Sequence, residues 1–337
     1  MPHSRPAWWQ TRGPSSWLWL PLGLLFKIIA ASRRALYRIG IISSYRLSVP
    51  VIVVGNIAAG GSGKTPVVIW LVDALRRRGL SPGIVSRGYG GSARTPTAVY
   101  ANGNYAVVGD EPILLARRAM APLWVGHDRV AAARALLAAN PAVNVIVTDD
   151  GLQHYTLQRD VEILVLDEAV LGNRFPLPAG PLREPLSRIR QATLTLAHGV
   201  LSDSLRADLD GANVMAMRLQ PGRWYRLGDP SDQCEPAYLQ SIRTRAVAGI
   251  GRPERFFRTL HDQGISPIEA RAFPDHYPFS KDDLSLGDAD ALLMTEKDAI
   301  KCAHIAPRET WVLPVDAVID DAALDLIVER LHGPKAA

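Results

Sequence analysis

Cysteine is almost missing from this chain of 337 residues: the two present, Cys234 and Cys302, stand far apart and near no metal-ligand pattern. A small disulfide scaffold is thereby excluded, and a reducing, cytoplasm-facing compartment is the simplest setting. Acidic residues are missing from the first 72 positions; Asp73 is the first, after eight Lys and Arg have appeared. The net charge of +5 therefore belongs to the N-terminus, because the remainder carries 30 basic against 33 acidic residues. That imbalance argues against a nucleic-acid-binding face over the whole chain and for a local anionic surface, of which membrane headgroups are the obvious candidate. Internal repeats, low-complexity tracts and an unbroken apolar run of about 20 residues are also lacking, so a clear membrane span is not evident. Disorder does not fit either, since 47% hydrophobic residues can bury a full core, and the length suggests two domains of about 100–200 residues each.

What is present is led by residues 49–70, VPVIVVGNIAAGGSGKTPVVIW, where an apolar β-branched run meets a glycine-rich turn and then a second apolar run. Such a turn lets successive backbone N–H groups of Ala58, Ala59, Gly60, Gly61, Ser62 and Gly63 curl around a polyphosphate. Lys64 then reaches the outer phosphates and Thr65 can hold Mg²⁺. The strict phosphate-loop pattern has Gly where this chain has Ala58, a mild departure that a residue of negative φ accommodates. The plainer alternative is a chance Gly-Lys-Thr, and the order strand, turn, helix argues against it. A nucleoside triphosphate is the expected ligand.

Upstream, residues 17–42 read WLWLPLGLLFKIIAASRRALYRIGII, an apolar segment interrupted by Lys27. As a helix it puts Lys27, Arg34 and Arg38 on one stripe and Leu22, Leu25, Phe26 and Ile29 elsewhere, which is an interfacial pattern. Four of the eight tryptophans, Trp8, Trp9, Trp17 and Trp19, lie in this leader, and indole rings favour the headgroup level. A signal peptide is disfavoured because no small-residue cleavage site follows the run. A helix packed on the protein's own core is the bland rival.

From residue 45 strands and helices alternate. A helix is expected over 66–78 and a strand over 81–86, ending in the glycine-rich Arg87-Gly88-Tyr89-Gly90-Gly91. Arg87 there is equally a phosphate ligand or an exposed loop charge. Gly109-Asp110-Glu111-Pro112 opens a helix over 113–120, where two carboxylates also serve the helix dipole. The strand 143–148 delivers Asp149 and Asp150 at its carboxyl end, as the second half of a phosphate-loop site requires for Mg²⁺. A strand follows over 161–166, and then residues 173–185, NRFPLPAGPLREP, hold four prolines that exclude regular structure and present Arg174 and Arg183. The run 213–227 reads as a hairpin around Pro221-Gly222, and strands over 245–250, 291–295 and 310–315 make a smaller second unit. The expected organisation is a leader over 1–44, a phosphate-loop domain of mostly parallel sheet over 45–212, a two-stranded linker over 213–244 and a smaller α/β domain over 245–331.

The motifs VGNIAAGGSGKTP, SRGYGG, VGDEP, TDDGLQH, LPAGPLREP, FPDHY and TEKDAIK, in this order over nearly the whole chain, resemble those of the tetraacyldisaccharide 4'-kinase family. The resemblance implies a membrane-associated kinase of lipid A biosynthesis. Such an enzyme moves the γ-phosphate of ATP, with Mg²⁺, onto the 4'-hydroxyl of a tetraacylated glucosamine disaccharide 1-phosphate. Carried over by motif, it makes Lys64 and Thr65 ligands of phosphate and Mg²⁺, Asp149 and Asp150 the metal site, and Asp110 the partner of the substrate hydroxyl, paired with His276. Arg183 and Arg129 would touch phosphate or sugar. The setting it implies is the cytoplasmic face of the bacterial inner membrane, with the glycolipid and anionic lipids as partners and neither nucleic acid nor an obligate protein partner. Two rivals fit less well. A GTPase or metallochaperone needs Asn/Thr-Lys-x-Asp, whereas Thr295-Glu296-Lys297-Asp298 has its lysine one position late. A membrane-tethered ATP switch commonly has a lysine where this chain has Ala59.

Overall fold

The computed structural model describes residues 6–332. The strand Val51–Gly55 is buried at every position and pairs in parallel with Val145–Asp149 on one side and Val161–Asp167 on the other. An unbroken apolar run is what such a two-sided central position demands. Gly63, at φ +89°, turns the chain into the helix Lys64–Arg77, and a side chain in that left-handed conformation would be strained. The helix lays Val67, Val68, Leu71, Val72 and Leu75 on the sheet and carries Arg76 and Arg77 in its last turn, where they complement the dipole.

Among the described residues, nine strands form this sheet. Their order is Val315–Ile319, Val214–Pro221, Leu194–His198, Val161–Asp167, Val51–Gly55, Val145–Asp149, Pro82–Ser86, Leu123–Val125 and Thr97–Ala98. All neighbours run parallel except the pairs at the two edges. A second sheet of six strands has Asp229–Cys234 and Trp224–Arg226 antiparallel at one edge. Thr310–Leu313 pairs antiparallel with Trp224–Arg226, and Ala291–Thr295, Thr244–Ala248 and Glu269–Ala272 follow it in parallel. The mixed α/β class and the mostly parallel sheet expected from the sequence are both present.

The two units exchange chain differently from the expectation. The run 213–227 does not close on itself as a hairpin: Val214–Pro221 joins the first sheet and Trp224–Arg226 the second. The apolar run from Thr310 is likewise divided at Pro314, after which Val315–Ile319 returns to the first sheet and pairs with Val214–Pro221. Proline cannot continue a ladder, and here it marks the crossing. The outgoing and returning strands pass side by side, with Gly222 N–H donating to Pro314 O at 2.9 Å. The C-terminal helix Asp321–His332 then buries Ala323, Leu324 and Ile327 in the first core, so residues 315–332, placed with the second unit by sequence, pack on the first.

The leader forms one helix, Pro14–Arg38. Its stripe Ser16, Leu20, Gly23, Phe26, Ala30, Arg34 and Tyr37 is turned toward the protein, while Leu18, Leu22, Leu25, Ile28 and Ile29 are exposed. The expected stripe of Lys27, Arg34 and Arg38 is divided: Lys27 and Arg38 are exposed, whereas Arg34 Nη1 reaches the buried Glu184 at 3.0 Å. The spacing of seven from Lys27 to Arg34 places both near one meridian, and the buried carboxylate draws Arg34 inward.

Candidate active site

The carboxyl ends of both parallel sheets face one cleft, the position open α/β sheets reserve for ligands. On the first unit the phosphate loop is braced from within: Asn56 Nδ2 donates to Gly60 O at 3.1 Å and to Ser62 Oγ at 3.2 Å. It is braced from outside by the proline-rich segment. Ala59 N–H donates to Pro181 O at 2.8 Å, and the N–H groups of Arg183 and Glu184 converge on Ile57 O at 2.7 and 3.1 Å. The second unit lies across the same loop, because a Cβ built on Gly251 would stand 3.6 Å from Gly61 N.

Asp149 ends the strand Val145–Asp149 beside the loop and Asp150 follows it, as the sequence places them. Asp150 holds φ at +51° and is approached at 3.5 Å by both Lys64 Nζ and Arg183 Nη1. Burial alone would raise its pKa, but the charges of Lys64 and Arg183 outweigh that and hold it below the ordinary carboxylate range. Asp149, only 2% exposed, goes the other way: burial first, and Glu111 and Asp150 after it, outweigh the charges of Lys64 and Arg129 and push it up to about 7. Its Oδ1 and the neighbouring Thr148 Oγ1 are buried without a hydrogen-bond partner. Among the described residues no three His, Cys, Asp or Glu side chains gather to hold a metal alone. An orphaned carboxylate oxygen beside a second carboxylate nevertheless suits Mg²⁺, which prefers oxygen and takes part of its shell from phosphates and water.

Arg129 opens the helix Arg129–Ala139, which Asp128 caps, and is 6% exposed with Nε unpartnered. Burial and the like charge of Arg87 lower its pKa, while Asp150 and Asp149 act against them. Two guanidiniums this close to the acid pair suit an anion.

Across the cleft, His276 at φ +60° places Nδ1 2.9 Å from Asp110 Oδ2. The two residues are 166 positions apart, and the contact joins the two units. Residues held at such a φ cluster at ligand sites and clefts. The Tyr89 ring of the glycine loop lies 5.2 Å from the imidazole. Asp110 is 5% exposed; burial would raise its pKa, but His276 and Lys297 reverse the effect and hold it below the ordinary range. The sequence alone gives no site role to Lys297, Glu111 or Asp275, which join this cluster. The lysine stood in view in TEKDAIK, yet only its neighbours in space give it a role.

A family model described as tetraacyldisaccharide-1-P 4'-kinase matches residues 15–332. The chain belongs to the tetraacyldisaccharide 4'-kinase family. A tetraacyldisaccharide 4'-kinase of Aromatoleum aromaticum is 52% identical over the full length of both chains. One from Azoarcus sp. is 51% identical over 97% of this chain and 96% of its own. Among solved structures, LpxK from Aquifex aeolicus in complex with ATP superposes with a TM-score of 0.79 at 29% identity, covering 94% of this chain and 99% of that one. The phosphate loop, the acid pair and the cross-cleft contact are therefore features of a member of this kinase family, with an ATP-bound neighbour of the same fold. The leader helix belongs to the matched region, and by length and composition it could cross a bilayer.

Proposed function

We propose that this chain transfers the γ-phosphate of ATP to the 4'-hydroxyl of a tetraacyldisaccharide 1-phosphate, yielding lipid IVA for lipid A biosynthesis. The observation that carries the reading is the contact of Asp110 with His276 across the cleft from the phosphate loop. A sugar hydroxyl is a weak nucleophile at neutral pH, and Asp110, ionised and accepting from His276, is suited to take its proton. As the oxygen–phosphorus bond forms, the bond from the γ-phosphorus to the bridging oxygen breaks and ADP departs. Lys64 and the N–H groups of the loop neutralise charge on the phosphate oxygens as this happens. Thr65, Asp149 and Asp150 would hold Mg²⁺, which would supply positive charge against that of the phosphate groups. Arg129 and Arg183 stand ready for phosphate groups of nucleotide or lipid.

The exposed apolar face of the leader helix is read as the membrane contact, at the cytoplasmic face of the inner membrane where ATP is present. Anionic headgroups would meet Lys27, Arg33 and Arg38. The deciding experiment incubates the pure protein with ATP, Mg²⁺ and the disaccharide 1-phosphate. A second phosphate on the lipid is expected; GTP hydrolysis without lipid phosphorylation would overturn the reading.

A further inference from the structure

Lys297 lies in the first turn of the helix Glu296–Cys302, with its ammonium in the cleft. Nζ reaches Glu111 Oε1 at 2.9 Å, Asp275 Oδ1 at 3.1 Å and His276 Nε2 at 3.4 Å. An ammonium offers three protons and no lone pair, so these three acceptors use its whole capacity. Burial works against its charge, but Glu111, Asp275 and Asp110 outweigh burial and hold its pKa well above the ordinary lysine value. On the opposite side of the imidazole, the ionised Asp110 carboxylate can only accept from Nδ1. The two neighbours together leave one arrangement: the proton on Nδ1 and a lone pair on Nε2.

We propose that Lys297 is a positioning residue for phosphoryl transfer, which fixes the neutral Nδ1–H tautomer of His276 and keeps the ring from taking a second proton. The proposal rests on the reading of Asp110 as the proton acceptor. A doubly protonated ring would bind Asp110 as an ion pair and weaken it as a base; an ammonium at Nε2 opposes that protonation by like charge. Every charged neighbour of the ring fits this account. Asp110 faces Nδ1 from the helix Asp110–Arg118. Asp275, on the ring's own loop, has its nearer oxygen 3.8 Å from Nε2, and Lys297 already engages that oxygen. Glu111 pairs with Lys297, Tyr89 brings an uncharged ring to 5.2 Å from the imidazole, and Lys301 pairs with Asp298 at 3.0 Å while adding positive field at Asp110.

The test uses the full chain with Lys297→Met, Lys297→Arg and Asp110→Asn. It measures kcat/KM against pH and the ¹⁵N resonances of labelled histidine in the resting protein, with the His276 signal assigned by its loss in His276→Gln. Wild type and Lys297→Arg should show the Nδ1–H tautomer and share one acid limb. Lys297→Met should lose that tautomer and move its acid limb to higher pH by about one unit, with turnover at neutral pH down about 10–10²-fold. If Lys297→Met misfolds, the double variant Glu111→Gln/Lys297→Met removes the carboxylate left unpaired. A uniform loss of rate, with the tautomer and the acid limb unmoved, would reduce Lys297 to packing and overturn the proposal. Full activity in Asp110→Asn would instead overturn the assignment of the base, whatever the tautomer, so the two failures are distinguishable.

Discussion

The phosphate-loop unit meets the rest of the molecule on two sides, and the two interfaces are made of different material. Against the second unit the contacts are ionic: Asp110 with His276, Glu111 with Lys297 at 2.9 Å, Arg118 with Glu296 at 2.6 Å, and Asp167 with Arg252 and Arg255. Against the leader, apart from the one ion pair of Arg34 with Glu184, they are close packing of small and aromatic groups. A Cβ on Gly23 would stand 3.0 Å from Pro176 O, Trp17 meets the edge of Phe175 at 5.3 Å, and Trp9 Nε1 donates to Pro178 O at 2.9 Å. Charged side chains can exchange one partner for another, including a phosphate, at modest net cost. Interdigitated apolar packing has no such substitute. The ionic side is therefore the one that answers to substrate, and the packed side is a fixed wall that supports the loop through the proline-rich segment.

The comparison breaks most severely at the loop itself. Lys64→Ala should lower turnover by about 10³–10⁵-fold, the range seen when a cation that stabilises a transferring phosphoryl group is removed, while the melting temperature changes little. Near-normal turnover in a lipid phosphorylation assay would mean that the loop holds some other anion.

On the ionic side, Asp110→Ala and His276→Ala should each slow catalysis by about 10²–10⁴-fold. The double variant should fall far short of the product of the two losses, because residues that act as a unit are non-additive. Rates and melting curves of the three variants decide the matter. Lower melting with an unchanged rate per folded molecule would make the pair merely structural.

Farther along the same interface, Arg118→Ala breaks a pair remote from the phosphates. Arg118 also reaches Asp316 on the returning strand, so it ties the helix that carries Asp110 to both the second unit and the crossing. Its pair with Glu296 is mostly shielded, and its removal should cost about 1–2 kcal/mol in denaturant unfolding with turnover reduced only severalfold. A loss as deep as that of Asp110→Ala would place Arg118 within the chemistry.

The same contrast explains what was legible in the sequence. The strand before the loop, the left-handed Gly63 and Asp149 at the end of the neighbouring strand are local features, each tied to a short pattern of residue types. The pairing of Asp110 with His276 came only through family resemblance, since no periodicity links positions 166 apart. Lys297 was weighed solely as a failed guanine-reading lysine, because its three acceptors come from two other segments. The return of residues 315–332 to the first sheet escaped notice because an alternating run says which face is buried and not which sheet buries it. Arg34 was misplaced because charge spacing on a helix does not reveal a buried carboxylate such as Glu184 on another segment.

The packed side can be tested where it faces outward. Deleting the leader would remove Arg34 from Glu184, a carboxylate also bound by Tyr155 at 2.8 Å and adjacent to the Arg183 that approaches Asp150. Such a deletion would confuse membrane contact with support of the site. Substituting the exposed face alone avoids this. Leu18, Leu25 and Ile28 are 79%, 51% and 62% exposed, so Leu18→Ser, Leu25→Ser and Ile28→Ser together remove apolar surface that the protein itself does not cover. Exposed substitutions of this kind usually change stability by no more than about 0.5 kcal/mol each, and nucleotide affinity should stay within about twofold of wild type. Sedimentation with anionic vesicles should nevertheless fall clearly, since each buried aliphatic side chain contributes about 1.5–3 kcal/mol on leaving water. If vesicle binding is unchanged while the melting temperature drops, the outer face of the helix is covered by protein in solution, and the two interfaces differ less than their composition implies.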